Sequence, residues 1–328
     1  LLWNLRQEIP IIPSSRKDMI ALSMIALGTG DEVVHLKRAL DSVLPYVDAL
    51  YITLTGVKED LGPCDKLLAE LQDKHMKKIE ISYAREELRH TVDKAQVDWL
   101  KEYFGWEPTG KEGDSLFLFD VARNHSMSKV PKDYDWIMWM DTDDVFRGGK
   151  DLKVVLEQAT KEGIEAIYMN YVYEVEMKDG KIVAVLIEHL RERIVRNNDA
   201  FKWIAPIHET LVEQRGTTKK DFSECDVLHL AEHEDRVSSL QRNIKNLEYS
   251  IYDKKGEDPR PVYYLAKAFF DLRDKENDEK AKKLIYIYLR GPNRSGWKEE
   301  RAQACGYLAE IYKRSGDVDS AIVELMNG

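Results

Sequence analysis

Cysteine is scarce. Cys64, Cys225 and Cys305 are spread over 328 residues and form no C-x-x-C pair, which excludes a zinc knuckle and a disulfide framework. That usage fits a reducing compartment, so a cytoplasmic location is the expectation. Long apolar runs are missing as well: nothing approaches the roughly 18 residues of a membrane span, and Leu1-Leu2-Trp3 leads into polar residues rather than a signal-peptide core. No transmembrane segment is expected. Basic charge is in deficit, with 49 Lys and Arg against 59 Asp and Glu and a net charge of −10, so a broad footprint for a phosphate backbone is absent and nucleic acid is not indicated as a partner. An initiating Met is also absent, and the sequence stops at Gly328 just after a helical pattern, which reads as a piece of a longer polypeptide.

What is present is an ordinary globular balance, 43% hydrophobic and 33% charged, in a chain long enough for two domains at roughly 100–200 residues each. The run from Met19 to Leu27 has the length of a buried parallel strand and ends in Gly28-Thr29-Gly30. A helix follows, with Asp31 as its N-cap and Val34, Ala39, Leu40, Val43 and Leu44 at helical spacing. Ala49–Leu54 reads as a second strand, Leu67–Lys78 as a second helix and Ile79–Tyr83 as a third strand. This alternation predicts an α/β domain with a doubly wound open sheet. Residues 85–105 read as a charged, solvated surface helix, Phe117–Ser128 as another helix, and Trp136–Met140 as the central strand.

Beyond residue 235 the strand pattern gives way to helical spacing. Tyr264-Leu265-Ala266 is echoed by Tyr307-Leu308-Ala309 after 43 residues, against about 34 in a tetratricopeptide unit, and the loop Gly291 to Gly296 accounts for the excess. Ala309 and Ala321, 12 apart around Gly316-Asp317, match the repeat spacing, whereas Ala266 and Ala281, 15 apart, match it more loosely.

The central strand ends in Asp141-Thr142-Asp143-Asp144. On an extended chain Asp141 and Asp143 point one way and Asp144 the other. Ligands of open α/β sheets bind beyond the carboxyl ends of the strands, and a hard divalent cation bridges carboxylates to substrate phosphates. A nucleoside diphosphate is the ligand such a pair suits.

Three stretches, Phe119-Asp120-Val121-Ala122-Arg123-Asn124, Tyr134 to Asp144, and Arg196-Asn197 with Ile207-His208-Glu209, give the chain a wider likeness. Over roughly residues 19–235 it resembles the family 2 glycosyltransferases of the A-type fold. Some of that family carry tetratricopeptide helices after the catalytic domain, including enzymes that glycosylate peptide cysteines. The resemblance implies a nucleotide-diphospho-sugar transferase fold over 1–235, an all-α tetratricopeptide-like domain over 236–328, and metal-dependent, inverting transfer from a nucleoside-diphosphate sugar, UDP-sugar favoured. Mn²⁺ or Mg²⁺ would be held by Asp143 with Asp141, completed by His229 or His208. Arg123, Asp141 and Thr142 would face the nucleotide, with Ala26, Leu27, Glu32 and Thr55 in the loops that touch the base. Glu209 would be the catalytic base, and Asp144 would orient the acceptor side or stand in as base. Two loops depart from the family pattern: Leu27-Gly28-Thr29-Gly30-Asp31-Glu32 stands where Lys-Asn-Glu is usual, and Thr53-Leu54-Thr55-Gly56 lacks the usual Asp.

The acceptor, whether peptide, glycan, lipid-linked sugar or modified base, is not legible, although the helical repeats are suited to hold it. Two competing readings are a non-catalytic sugar-nucleotide-binding scaffold that presents the repeats to a protein, and a nucleotidyltransferase. Intact Asp141, Asp143 and Glu209 oppose the first. The second needs a basic, Gly-rich loop after the first strand, and no basic residue occurs between Leu22 and His35.

Overall fold

The computed structural model describes residues 18–328 apart from 31, 180, 231–235 and 292–295. Leu1 to Trp3, the Asp31 cap, the domain boundary at 235 and Pro292 to Ser295 of the repeat loop therefore lie outside the described residues.

Strands β1 (Ile20–Ala26), β2 (Ala49–Leu54) and β3 (Lys78–Tyr83) run parallel, separated by helices α1 (Glu32–Val43) and α2 (Gly62–His75). Every residue of β2 is buried, as expected of a parallel strand covered on both faces, which is why it reads as an unbroken apolar run. The second helix differs from expectation: it starts at Gly62 with Pro63 in its first turn and ends at His75, where Met76 turns left-handed at φ 53°. Lys78 already belongs to β3.

Helix α3 (Lys94–Phe104) is capped by Asp93, which accepts a 2.7 Å bond from the Gln96 amide. It is not a solvated helix. Leu100 and Phe104 are fully buried against Ile244, Leu247 and Ile251 of α6 (Arg236–Asp253), each such burial contributing about 1.5–3 kcal/mol. The charged residues at 85–105 masked a narrow apolar stripe whose partner lies far along the chain. A small ribbon of β4 (Arg89–Thr91) and β5 (Ser115–Phe117) leads into α4 (Phe119–Ser128).

The central strand β6 (Trp136–Trp139) pairs parallel to β1. The chain builds β1, β2 and β3 outward on one side of β1 and returns to place β6 on the other. That reversal is the switch point at which open α/β sheets form their ligand crevice. The far half of the sheet is mixed: after β7 (Asp144–Arg147) and α5 (Leu152–Lys161) come β8 (Ala166–Lys178) and β9 (Lys181–Arg196), then the β10 (Phe201–Ile204) and β11 (Thr210–Glu213) hairpin, then β12 (Lys219–His229). The sheet order is β3-β2-β1-β6-β9-β8-β12-β7.

After β12 the described chain is helical. Helices α7 (Pro259–Leu272) and α8 (Lys275–Arg290) form one antiparallel hairpin, and α9 (Lys298–Ser315) and α10 (Val318–Asn327) another. The echoed Tyr-Leu-Ala triplets fall on α7 and α9, the first helix of each hairpin. Leu265, Ala266 and Leu308 are buried in one shared cluster, Ala309 is also buried, and Phe270 stacks on Tyr307 with centroids 4.7 Å apart. The expected α/β sheet with an all-α tail is what the chain forms. Among the described residues no helix is long and apolar enough to cross a membrane.

Candidate functional site

The crevice is built from three loops at the carboxyl ends of β1, β2 and β6. Thr55 follows β2, and its amide and hydroxyl both donate to the Ala26 carbonyl at the end of β1, at 2.9 and 3.2 Å. Glycine is required here by close approach: a Cβ on Gly56 would meet the Leu27 carbonyl at 2.3 Å, and Gly28 adopts φ +76°. Glu32, at the start of α1, accepts from the Gly28 amide at 2.6 Å and from the Thr142 hydroxyl at 3.0 Å. Burial raises its pKa above the usual carboxylate range, and those hydrogen bonds only partly offset the shift. Ala26, Leu27, Glu32, Thr55 and Thr142 are thus brought together, although Ala26 is buried and Leu27 is half exposed.

The acidic motif is a turn, not an extended strand. The Asp144 amide donates to the Asp141 carbonyl at 3.2 Å, and the Asp144 side chain caps the Asp141 amide at 3.1 Å. Asp144 then opens β7, where it pairs with His229 at the end of β12. The expectation that Asp143 and Asp144 point in opposite directions is therefore overturned. Asp143, Asp144 and His229 converge, each offering a ligand atom within 4.8 Å of the others. His229 Nδ1 lies 3.5 Å from Asp143 and 3.4 Å from Asp144, is buried, and makes no hydrogen bond. Burial alone would lower the His229 pKa, but Asp143 and then Asp144 reverse that and raise it to about 10. An unbonded imidazole nitrogen facing two carboxylates is a donor set that fits a divalent cation.

Asp141 is not in this group. It accepts a 2.6 Å bond from Arg123, whose Nε donates 2.7 Å to Glu209. Burial opposes the ionisation of Asp141, yet Arg123, Arg193 and Arg191 overcome it and hold its pKa below the ordinary range. Arg123 is set by α4, and the next residue explains how Glu209 reaches it. Asn124 donates 2.8 Å to the Trp203 carbonyl and accepts 3.0 Å from the Trp203 amide, pinning β10 to the helix. The β10–β11 loop turns through Ala205 and His208, both at positive φ (75° and 52°), and delivers Glu209 just before β11. His208 is carried elsewhere: its ring stacks on Tyr264 of α7 at 4.2 Å, and burial drives its pKa down to about 4. The structure does not bring it to the Asp143 group.

Arg193 is a residue of this cluster that the sequence pattern did not single out. It is wholly buried, donates 3.0 Å to Asp144, and lies between the rings of Trp139 and Tyr171, each 4.1 Å away. Tyr173 was also missed, and it stacks parallel to His229 at 5.2 Å. The available signal was the charged pair Arg191 and Arg193 directly preceding buried Ile194-Val195, since a charge entering a core strand needs a partner.

No family model matches the chain, and no curated protein matches it. Among solved structures, one match is the 4-diphosphocytidyl-2C-methyl-D-erythritol synthase of Anaerococcus prevotii, at 7% identity over 55% of this chain and 71% of that one, with a TM-score of 0.29. Another is the mannosyltransferase PcManGT from Pyrobaculum calidifontis, solved with GDP-Man and Mn²⁺, at 10% identity over 95% of this chain and 88% of that one, with a TM-score of 0.38. At these scores neither match carries an argument about this chain.

Proposed function

We propose that this chain is a metal-dependent nucleotide-sugar transferase, an inverting glycosyltransferase of the family 2 type with the A-type fold. The observation that carries the reading is the convergence of Asp143, Asp144 and His229 at the switch point of the sheet, beside a Glu209 fixed by Arg123. Asp143, Asp144 and His229 would hold Mn²⁺ or Mg²⁺. Bound there, a divalent cation supplies charge neutralisation for the departing nucleoside diphosphate. Ala26, Leu27, Glu32, Thr55 and Thr142 line the crevice for the nucleotide, with a uridine diphosphate sugar favoured.

Glu209 takes the proton of the acceptor hydroxyl or thiol. Arg123 orients it, and the Asn124–Trp203 bonds keep the hairpin that carries it from drifting. The helical hairpins, read as tetratricopeptide-like, stand next to this loop. Arg260 of α7 donates 2.8 Å to the Thr210 hydroxyl, and Tyr264 packs on His208, so an acceptor lying on the helices would reach Glu209 directly. We assign the catalytic domain to 1–235 and the helical domain to 236–328.

The test is a hydrolysis screen over nucleotide sugars, with and without Mn²⁺, because slow donor hydrolysis needs no acceptor. Release of nucleoside diphosphate from one donor class, abolished by chelator, supports the reading. Turnover indifferent to chelator across all donors that are cleaved would remove the metal from it, and cleavage of the donor to nucleoside monophosphate and sugar 1-phosphate would move the chain to the nucleotidyltransferases.

A further inference from the structure

The turn that carries Glu209 is held from two sides. From the sheet, Arg123 donates 2.7 Å to the Glu209 carboxylate and Arg191 donates 3.2 Å to the Glu209 carbonyl. From the helical layer, three residues around Glu209 are gripped in turn. Ile207 packs against the apolar cluster shared by α3, α6, α7, α8 and α9, the His208 ring lies on Tyr264 at 4.2 Å, and Arg260 donates 2.8 Å to the Thr210 hydroxyl. Arg260 is itself fixed, since it donates 3.3 Å to the Tyr264 hydroxyl and stands 3.5 Å from Glu300 of α9. The backbone needs such a grip. Ala205 and His208 sit at φ 75° and 52°, a region rarely adopted outside glycine, and a strained turn persists only where its surroundings over-determine it.

With Glu209 as the base proposed above, on which this rests, we propose that Tyr264 and Arg260 are positioning residues of the transferase site. They hold the 205–210 turn in the conformation that sets Glu209 on Arg123, so α7 completes the active site rather than only adjoining it. Both act through the turn. His208, which the Asp143 group does not use, thereby gains a role: its ring is what Tyr264 holds. A general base has to stay within hydrogen-bond reach of the proton it takes, and a misplacement of ~1 Å can cost about 10²-fold in rate. The donor crevice is built from the loops after β1, β2 and β6 and not from α7. Loosening the grip therefore lowers turnover and leaves donor affinity alone.

Two readouts on the full chain test this: Mn²⁺-dependent hydrolysis of UDP-glucose and GDP-mannose, with water as the acceptor, and hydrogen exchange of the amides over 205–210. Y264A is expected to lower kcat about 10²-fold with the donor KM unchanged, and to speed exchange across the turn. Y264F keeps the ring and should rescue both. T210V removes one hydroxyl while keeping the shape of the side chain, so it folds where Y264A fails to, and it should also lower kcat. The double R260Q/T210V should lose less than the product of the two single losses, because both remove the same bond. Y264A and T210V with wild-type turnover, beside an inactive E209Q, overturn the proposal and leave the base reading standing. Unchanged exchange over 205–210 in Y264A overturns it as well. An E209Q protein as active as wild type, or a wild type that cleaves neither donor, removes the base reading instead, and the positioning role falls with it.

Discussion

On one side of the β6 end, Arg123 lies between Asp141 and Glu209 at 2.6 and 2.7 Å, and Trp139 and Trp203 wall it in. On the other side, Asp143 and Asp144 crowd the His229 Nδ1, which makes no hydrogen bond among the described residues, and there the guanidinium of Arg193 bonds only Asp144. The first cluster has its cation built in. The second has two carboxylates, one buried arginine, and an imidazole at ion-pair distance from both acids. On the proposed reading the first cluster positions Glu209 and the second receives the cation.

Glu209→Gln should separate the two clusters most widely. It preserves size and the bond from Arg123 but removes the proton acceptor, so transfer is expected to fall roughly 10²–10⁴-fold while nucleotide affinity is kept. Steady-state kinetics alongside donor binding checks this. Transfer that survives would show that Glu209 is not the base, and fully buried Asp144, bonded by Arg193, does not replace it.

Arg193→Met leaves Asp144 buried without its partner and is expected to cost about 3–5 kcal/mol in denaturant unfolding. Adding Asp144→Asn should recover part of that loss, since the orphaned charge goes with it. A single variant as stable as wild type would show that the buried pair does not hold the turn.

Glu248 sharpens the comparison from outside the crevice. It accepts from the amides of Thr109 and Gly110 at 2.8 and 2.9 Å, yet burial raises its pKa from 4.5 to about 7. The folded state therefore keeps a proton that the unfolded chain releases. Stability from this group is full below pH 4.5, is lost as pH rises through 7, and is flat beyond it, a change of up to ~3 kcal/mol. Glu248→Gln should flatten that slope in unfolding curves taken across the window. An unchanged slope would place the titrating group elsewhere.

Much of this arrangement was legible beforehand. β1, β2 and β6 are buried on both faces and so read as apolar runs, and the acidic motif stood out because it follows one of them. Glu209 was legible only through its likeness to a known motif, since its approach depends on a hairpin pinned by Asn124. The turn at Asp141–Asp144 was not legible at all. Asp144 is swung toward Asp143 by the pairing of β7 with β12, a contact spanning most of a domain in sequence. Arg193 escaped for a similar reason: strand alternation marks a polar residue as outward, and only the folded sheet shows it bonded inward. The solvated reading of α3 failed because its partner helix begins more than a hundred residues later.

The central claim is that Asp143, Asp144 and His229 take a divalent cation together with a nucleoside diphosphate. Calorimetric titration of uridine diphosphate and guanosine diphosphate into the full chain, with Mn²⁺ and with chelator, for the wild type and for Asp143→Ala, measures it directly. The account expects binding by the wild type that weakens sharply on chelation, and a folded Asp143→Ala protein in which Mn²⁺ makes little difference. Equal affinity with and without Mn²⁺ in the wild type would contradict it.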